Sequence, residues 1–130
     1  MHVVGVTAAL RYRTDIDAAG HALVADEPVV LGGADAGAAP FALVLAGLAA
    51  CTGATLRMYA ERKGWPDIVL RIDLQLELGK EPRTIRRRVD VSGAPDAALE
   101  RLREIVERTP VTLALKSGFD IATTLQSAQL

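Results

Sequence analysis

Cys51 is the only cysteine in the chain, and it lies in Leu43-Val44-Leu45-Ala46-Gly47-Leu48-Ala49-Ala50-Cys51-Thr52-Gly53-Ala54-Thr55-Leu56, a run with no charged residue. A thiol there is either inert packing, since free cysteine behaves as a small hydrophobe, or the reagent of a sheltered site. As a reagent it acts through its thiolate, and a nearby cation would lower its pKa. Without a second cysteine it forms no internal disulfide, so another molecule must complete any redox cycle. Arg87 is the first choice for the cation. In the segment Thr84 to Ser92 it shares a face with Ile85, Val89 and Val91, because alternate residues of a strand point the same way. The plain alternative is a slight bulge, or an arginine whose stem lies on apolar surface while its head reaches water.

Other residues are weaker choices. Arg11 and Arg13 are further cations, and Asp26 or Glu27, beside Pro28, could orient one of them; otherwise that pair is a solvated turn. His21 reads as a strand-edge residue with no second ligand near it. With only His2, His21 and one cysteine, a soft-metal site within one chain is poorly supported, and no residue pattern calls for a cofactor. The loop Gly32-Gly33-Ala34-Asp35-Ala36-Gly37-Ala38-Ala39-Pro40 looks only superficially like a phosphate cradle. It lacks the lysine-serine or lysine-threonine ending and the strand-loop-helix spacing.

The elements that must hold these residues follow from periodicity. Val4, Val6, Ala8, Leu10 and Tyr12 alternate, which predicts a first strand from Val3 to Arg13. A turn through Asp15 to Gly20 leads to a second strand, His21 to Asp26. Pro40 suits a first helical turn, and the helix runs from Phe41 to about Lys63, with Gly64 as its cap. Its half up to Leu56 is apolar all round, the pattern of a helix buried on every side. Gly47, Ala50 and Ala54 form a flat stripe that another backbone could approach. A domain this small seldom encloses such a helix, so a partner subunit is the expected cover.

Leu70, Ile72, Leu74, Leu76 and Leu78 alternate with polar residues, predicting a strand from Ile68 to Leu78 that turns back into Thr84 to Ser92. An amphipathic helix spans Ala97 to Arg108, opened by Pro95-Asp96 and ended by Thr109-Pro110. Val111 to Lys116 is a short helix or an extended piece, and Phe119 to Leu125 reads as a last strand. This order of elements is α+β.

Composition bounds the rest. At 130 residues the chain is one domain, 1–130, by size. Half its residues are hydrophobic but only 4% are aromatic, so the core is aliphatic. A net charge near −1 gives no electrostatic reason to expect nucleic acid or an anionic membrane surface as partner. The run Ala38 to Ala50 is too short to span a bilayer, the N-terminus does not read as a signal peptide, and one cysteine suits a reducing compartment. A cytoplasmic location is expected.

Taken in order, the segments His21-Ala22-Leu23-Val24-Ala25-Asp26-Glu27-Pro28, Gly32 to Pro40, Leu43 to Thr52, Leu56-Arg57-Met58-Tyr59-Ala60-Glu61-Arg62-Lys63-Gly64-Trp65, Ile85 to Gly93 and Thr109-Pro110-Val111 resemble the OsmC/Ohr family. These are the osmotically inducible and organic-hydroperoxide-resistance proteins. The resemblance implies an α+β, OsmC-like fold, with antiparallel sheets packed on a long central helix in an intertwined homodimer. It places Cys51 at the peroxidatic position, where a thiolate attacks an organic hydroperoxide and is left as a sulfenic acid. An arginine oriented by a carboxylate activates that thiol in the family, and a second cysteine resolves it.

Two positions depart from that scheme. Thr109 stands where the resolving cysteine is expected, and Phe41-Ala42 follow Pro40 where a carboxylate is expected. Two functions are therefore open. One is a thiol-dependent organic hydroperoxide reductase of one-cysteine type, with Cys51 and Arg87 as catalytic residues and an external thiol as reductant. Apolar walls from Phe41, Leu45, Leu48 and Met58 would favour organic over hydrogen peroxide. The other is a non-catalytic dimer holding a small apolar or electrophilic ligand in the Cys51 cleft.

Overall fold

The computed structural model describes residues 1–130. Three antiparallel strands come first: β1 (Val3–Thr7), β2 (Thr14–Ala18) and β3 (His21–Ala25), in spatial order β1-β2-β3. The long helix α1 (Pro40–Lys63) follows, then the hairpin of β4 (Val69–Glu77) and β5 (Thr84–Ser92), and the short helices α2 (Leu99–Val106) and α3 (Pro110–Ser117). This is the α+β order expected, with two corrections.

The first strand is shorter than its alternation predicted, and the segment read as a turn is itself a strand. Val3 pairs with Ala18 and Thr7 with Thr14. Reaching that register requires a reversal at residues 8–13, where Arg11 adopts positive φ and the Arg13 N–H bonds the Leu10 carbonyl at 3.1 Å. Aspartate disfavours strands, but β2 is the central strand and is paired on both sides, so ladder bonds override propensity. The true turn is the two-residue Ala19-Gly20, both at positive φ, and the Asp17 carboxylate accepts the Gly20 N–H at 2.6 Å.

The second correction concerns the C-terminus. Residues 118–130 have no regular structure, and Phe119, Ile121 and Leu125 are exposed. Apolar alternation makes a strand only where a neighbouring edge supplies its hydrogen bonds, and here no strand pairs with this segment. Helix α1 is not enclosed by its own chain. Leu48, Thr52, Leu56 and Ala60 form a buried row, yet Phe41 is 50% and Met58 61% exposed, and Ala50 and Ala54 are exposed with them. By length and composition alone α1 could cross a membrane.

The chain divides into two compact units, 1–50 with 73–87 and 51–72 with 88–130; α1 and the β4–β5 hairpin contribute to both. In the first unit the three-stranded sheet is lightly covered: Val3, Val4 and Val6 are exposed, and burial is complete only at Ala25 and Asp26. In the second, Leu56, Ala60, Ile68 and Leu102 form the apolar centre with Thr52, Thr109 and Thr112 among the buried residues.

Candidate functional site

The approach to α1 is built by one carboxylate. Asp26 is only 2% exposed, and it is not the solvated turn residue that its sequence context suggests. Its Oδ1 accepts the Glu27 N–H at 2.8 Å, and its Oδ2 accepts those of Ala34 at 3.2 Å and Ala36 at 3.1 Å. The Asp26 N–H in turn bonds the Ala38 carbonyl, next to a parallel bridge between Ala25 and Ala38. The glycine-rich loop is thus folded back onto the end of β3. Its glycines are needed there: a side chain at Gly33 would strike the Glu27 carbonyl, and one at Gly37 the Val24 carbonyl.

The backbone bond from Ala36, helped by those from Glu27 and Ala34 and by the charge of Arg13, holds the Asp26 carboxyl below its ordinary pKa, against the opposing effect of burial. Both of its oxygens are therefore occupied by backbone donors. Arg13 itself binds Asp15 through two nitrogens, at 2.7 and 3.2 Å. Asp26 thus serves the loop, and Arg13 is bound to Asp15 of β2.

Arg87 lies on β5, where exposure alternates without interruption from Ile85 to Ser92. There is no bulge. Arg87 is half-buried on the face of Ile85, Val89 and Val91, while its neighbours turn outward, Arg86 to Glu77 at 2.6 Å and Arg88 to Asp90 at 3.3 Å. The apolar-face arginine predicted from spacing is therefore where the alternation put it. His21 is exposed at the start of β3.

Cys51 sits in the middle of α1, half-buried. Residues three and four apart share a helical face, so it borders two rows. On one side runs the buried row of Leu48, Thr52, Leu56 and Ala60; on the other the exposed row of Gly47, Ala50, Ala54 and Met58. The thiol is neither sealed in a core nor free in solvent. Of the expected apolar walls, Leu48 is buried and Leu45 half-buried, while Phe41 and Met58 are exposed.

The helix ends as its sequence dictates. The Gly64 N–H bonds the Glu61 carbonyl and the Trp65 N–H the Ala60 carbonyl, the paired bonds of a Schellman cap. Arg57 donates to the Pro66 carbonyl at 2.9 Å and the Ile68 carbonyl at 3.3 Å, tying α1 to the entry of β4.

Thr109 is fully buried, and its hydroxyl lies 2.6 Å from that of Thr112. It precedes Pro110, the first residue of α3, and its own carbonyl accepts the Leu113 N–H. Sequence reasoning flagged Thr109 but missed its partner. The signal was available, since hydroxyls three residues apart at a helix start share one side.

Compared with known proteins, residues 32–124 match the family model described as OsmC-like protein. No curated protein sequence matches closely enough to count as a relative. Among solved structures, an OsmC-like protein from Mycoplasma pneumoniae superposes with a TM-score of 0.64 at 19% identity, over 88% of this chain and 86% of that one. A protein from Legionella pneumophila described as an organic hydroperoxide resistance protein OsmC gives 0.61 at 20% identity, over 88% of each chain. One from Psychrobacter arcticus, described as a putative osmotic stress induced and detoxification response protein, gives 0.67 at 14% identity, over 86% and 85%. At such identities the superpositions speak for the fold. The family model covers most of the chain, including α1 with Cys51, β5 with Arg87 and the Thr109-Pro110 turn, and the protein belongs to the OsmC-like family.

Proposed function

We propose that this protein serves in oxidative stress defence as a thiol-dependent organic hydroperoxide reductase of one-cysteine type, its single domain, 1–130, working as a cytoplasmic homodimer. The observation that carries this reading is the position of Cys51: half-buried, mid-helix, at the border between a core-facing row and an exposed apolar row. Family membership and the hydroperoxide resistance ascribed to the Legionella protein support it. The exposed row of Gly47, Ala50, Ala54 and Met58 supports the dimer. Small residues let a second backbone approach, and covering the row would remove apolar surface from water.

The Cys51 thiolate attacks the terminal oxygen of the hydroperoxide, the O–O bond breaks, and the alkoxide leaves with a proton as alcohol. The sulfur keeps the transferred oxygen as a sulfenic acid. With Thr109 in place of a second cysteine, an external thiol displaces water to give a mixed disulfide. A second thiol then releases Cys51 and departs as the oxidised disulfide. Arg87 supplies the positive charge that favours the thiolate.

Mixing the reduced protein with cumene hydroperoxide in stopped flow is the test. Rapid loss of one thiol per chain is expected; a rate no faster than that of free cysteine at the same pH would sink the proposal. Arg87→Met should move the pH dependence of Cys51 alkylation upward, and an unmoved profile removes Arg87 from the mechanism. A second reading, a non-catalytic dimer holding a small apolar or electrophilic ligand beside Cys51, is favoured by the Thr109–Thr112 pair. That pair fills the resolving position with a satisfied, redox-inert contact.

A further inference from the structure

The second unit contains a cavity of about 400 Å³ lined by Thr55, Tyr59, Arg62 and Lys63 of α1 and by Arg101 and Ile105 of α2. Its size falls in the range of small-molecule sites, roughly 300–1,000 Å³. Three of its six lining residues are basic. Several basic side chains elsewhere are paired with a carboxylate, as in Arg13–Asp15, Arg86–Glu77, Arg103–Glu100 and Lys116–Glu107. Around the cavity three cations meet one bonded carboxylate, Glu104, which holds Arg101 at 2.6 Å. The nearby Glu61 is taken by Arg57.

The remaining wall is flat and apolar. Lys63 lies over the Tyr59 ring, 5.6 Å from its centroid, and Trp65 stands edge-on to that ring at 5.9 Å, fixing its plane. Ile105 adds aliphatic surface and Thr55 a hydroxyl. Capping of the α1 carbonyls by Gly64 and Trp65 answers part of the helix's negative end, which leaves Arg62 and Lys63 available to a ligand.

We infer that this cavity binds a small organic anion, an aromatic carboxylate whose ring lies against Tyr59 and Ile105 and whose charge meets Arg62, Lys63 and Arg101. Cys51 is not among its lining residues, so the assignment stands whether or not Cys51 reduces peroxides.

Amide chemical shifts of the whole protein, titrated at low salt with 1-naphthoate and with the neutral 1-naphthamide, test it. Saturating shifts confined to Thr55, Tyr59, Arg101, Ile105 and their neighbours are expected, with the acid bound about 10-fold or more tightly than the amide. Removing two cations with Arg62→Gln and Lys63→Gln should abolish that preference while the spectrum stays dispersed. Arg101→Gln provides the same test from α2 should the end of α1 fray. Equal binding of acid and amide, scattered non-saturating shifts, or undiminished binding to both charge-deleted proteins would overturn the assignment.

Discussion

The loop from Asp26 to Ala38 and the exposed row of α1 are opposites. In the loop, polar groups meet within a few residues: Asp26 takes three backbone donors, and two glycines let the chain close on β3. The exposed row has no such answer, and Gly47, Ala50, Ala54 and Met58 lie open although nothing in their chemistry favours water. A single chain completes the first region by itself. The second is complete only if something else covers it.

That contrast can be broken at either end. The largest effect should come from Ala50→Glu. In a dimer packed through this row, a buried unpaired charge costs about 4 kcal/mol of association, while a monomer would not notice it. Sedimentation equilibrium decides, and an unchanged mass distribution would mean that the row is not an interface. On the buried row of the same helix, Leu56→Ala should cost about 3 kcal/mol in urea unfolding, because it leaves a cavity whatever the oligomeric state.

Next comes Asp26→Asn, which tests the self-sufficient loop through pH. The folded carboxyl holds its proton more weakly than the unfolded one. Its stabilisation is therefore full above the ordinary carboxylate range and fades as pH falls toward the depressed value. Thermal unfolding should show the wild type losing stability on acidification, with a flatter profile for Asp26→Asn; parallel profiles would remove Asp26 as the source. The smallest effect is expected at Met58→Ala, within about 0.5 kcal/mol for the isolated chain. A markedly larger loss that grows with protein concentration would sharpen the case for a covering partner.

Much of the architecture was legible because it follows from local rules. The limits of α1, β4 and β5 were set by Pro40, Gly64 and strict alternation, and Arg87 appeared on the apolar face that its spacing predicted. What failed were segments decided by a distant partner. Thr14 to Ala18 became a strand because β1 and β3 flank it, against the preference of its two aspartates. Phe119 to Leu125 has strand alternation and no edge to pair with.

The candidate site divides in the same way. The lone thiol, its apolar surroundings, the absent second cysteine and the family to which the chain belongs were all fixed by residue identity and order. Only the tertiary structure decided that Asp26 is buried and committed to a loop, that Thr109 meets Thr112, and that Cys51 stands at the edge of an open face. The physical reason is that composition determines how much apolar surface must be hidden and where polar groups recur. Which donor meets which acceptor, and which face is left uncovered, depends on contacts between residues far apart in the chain.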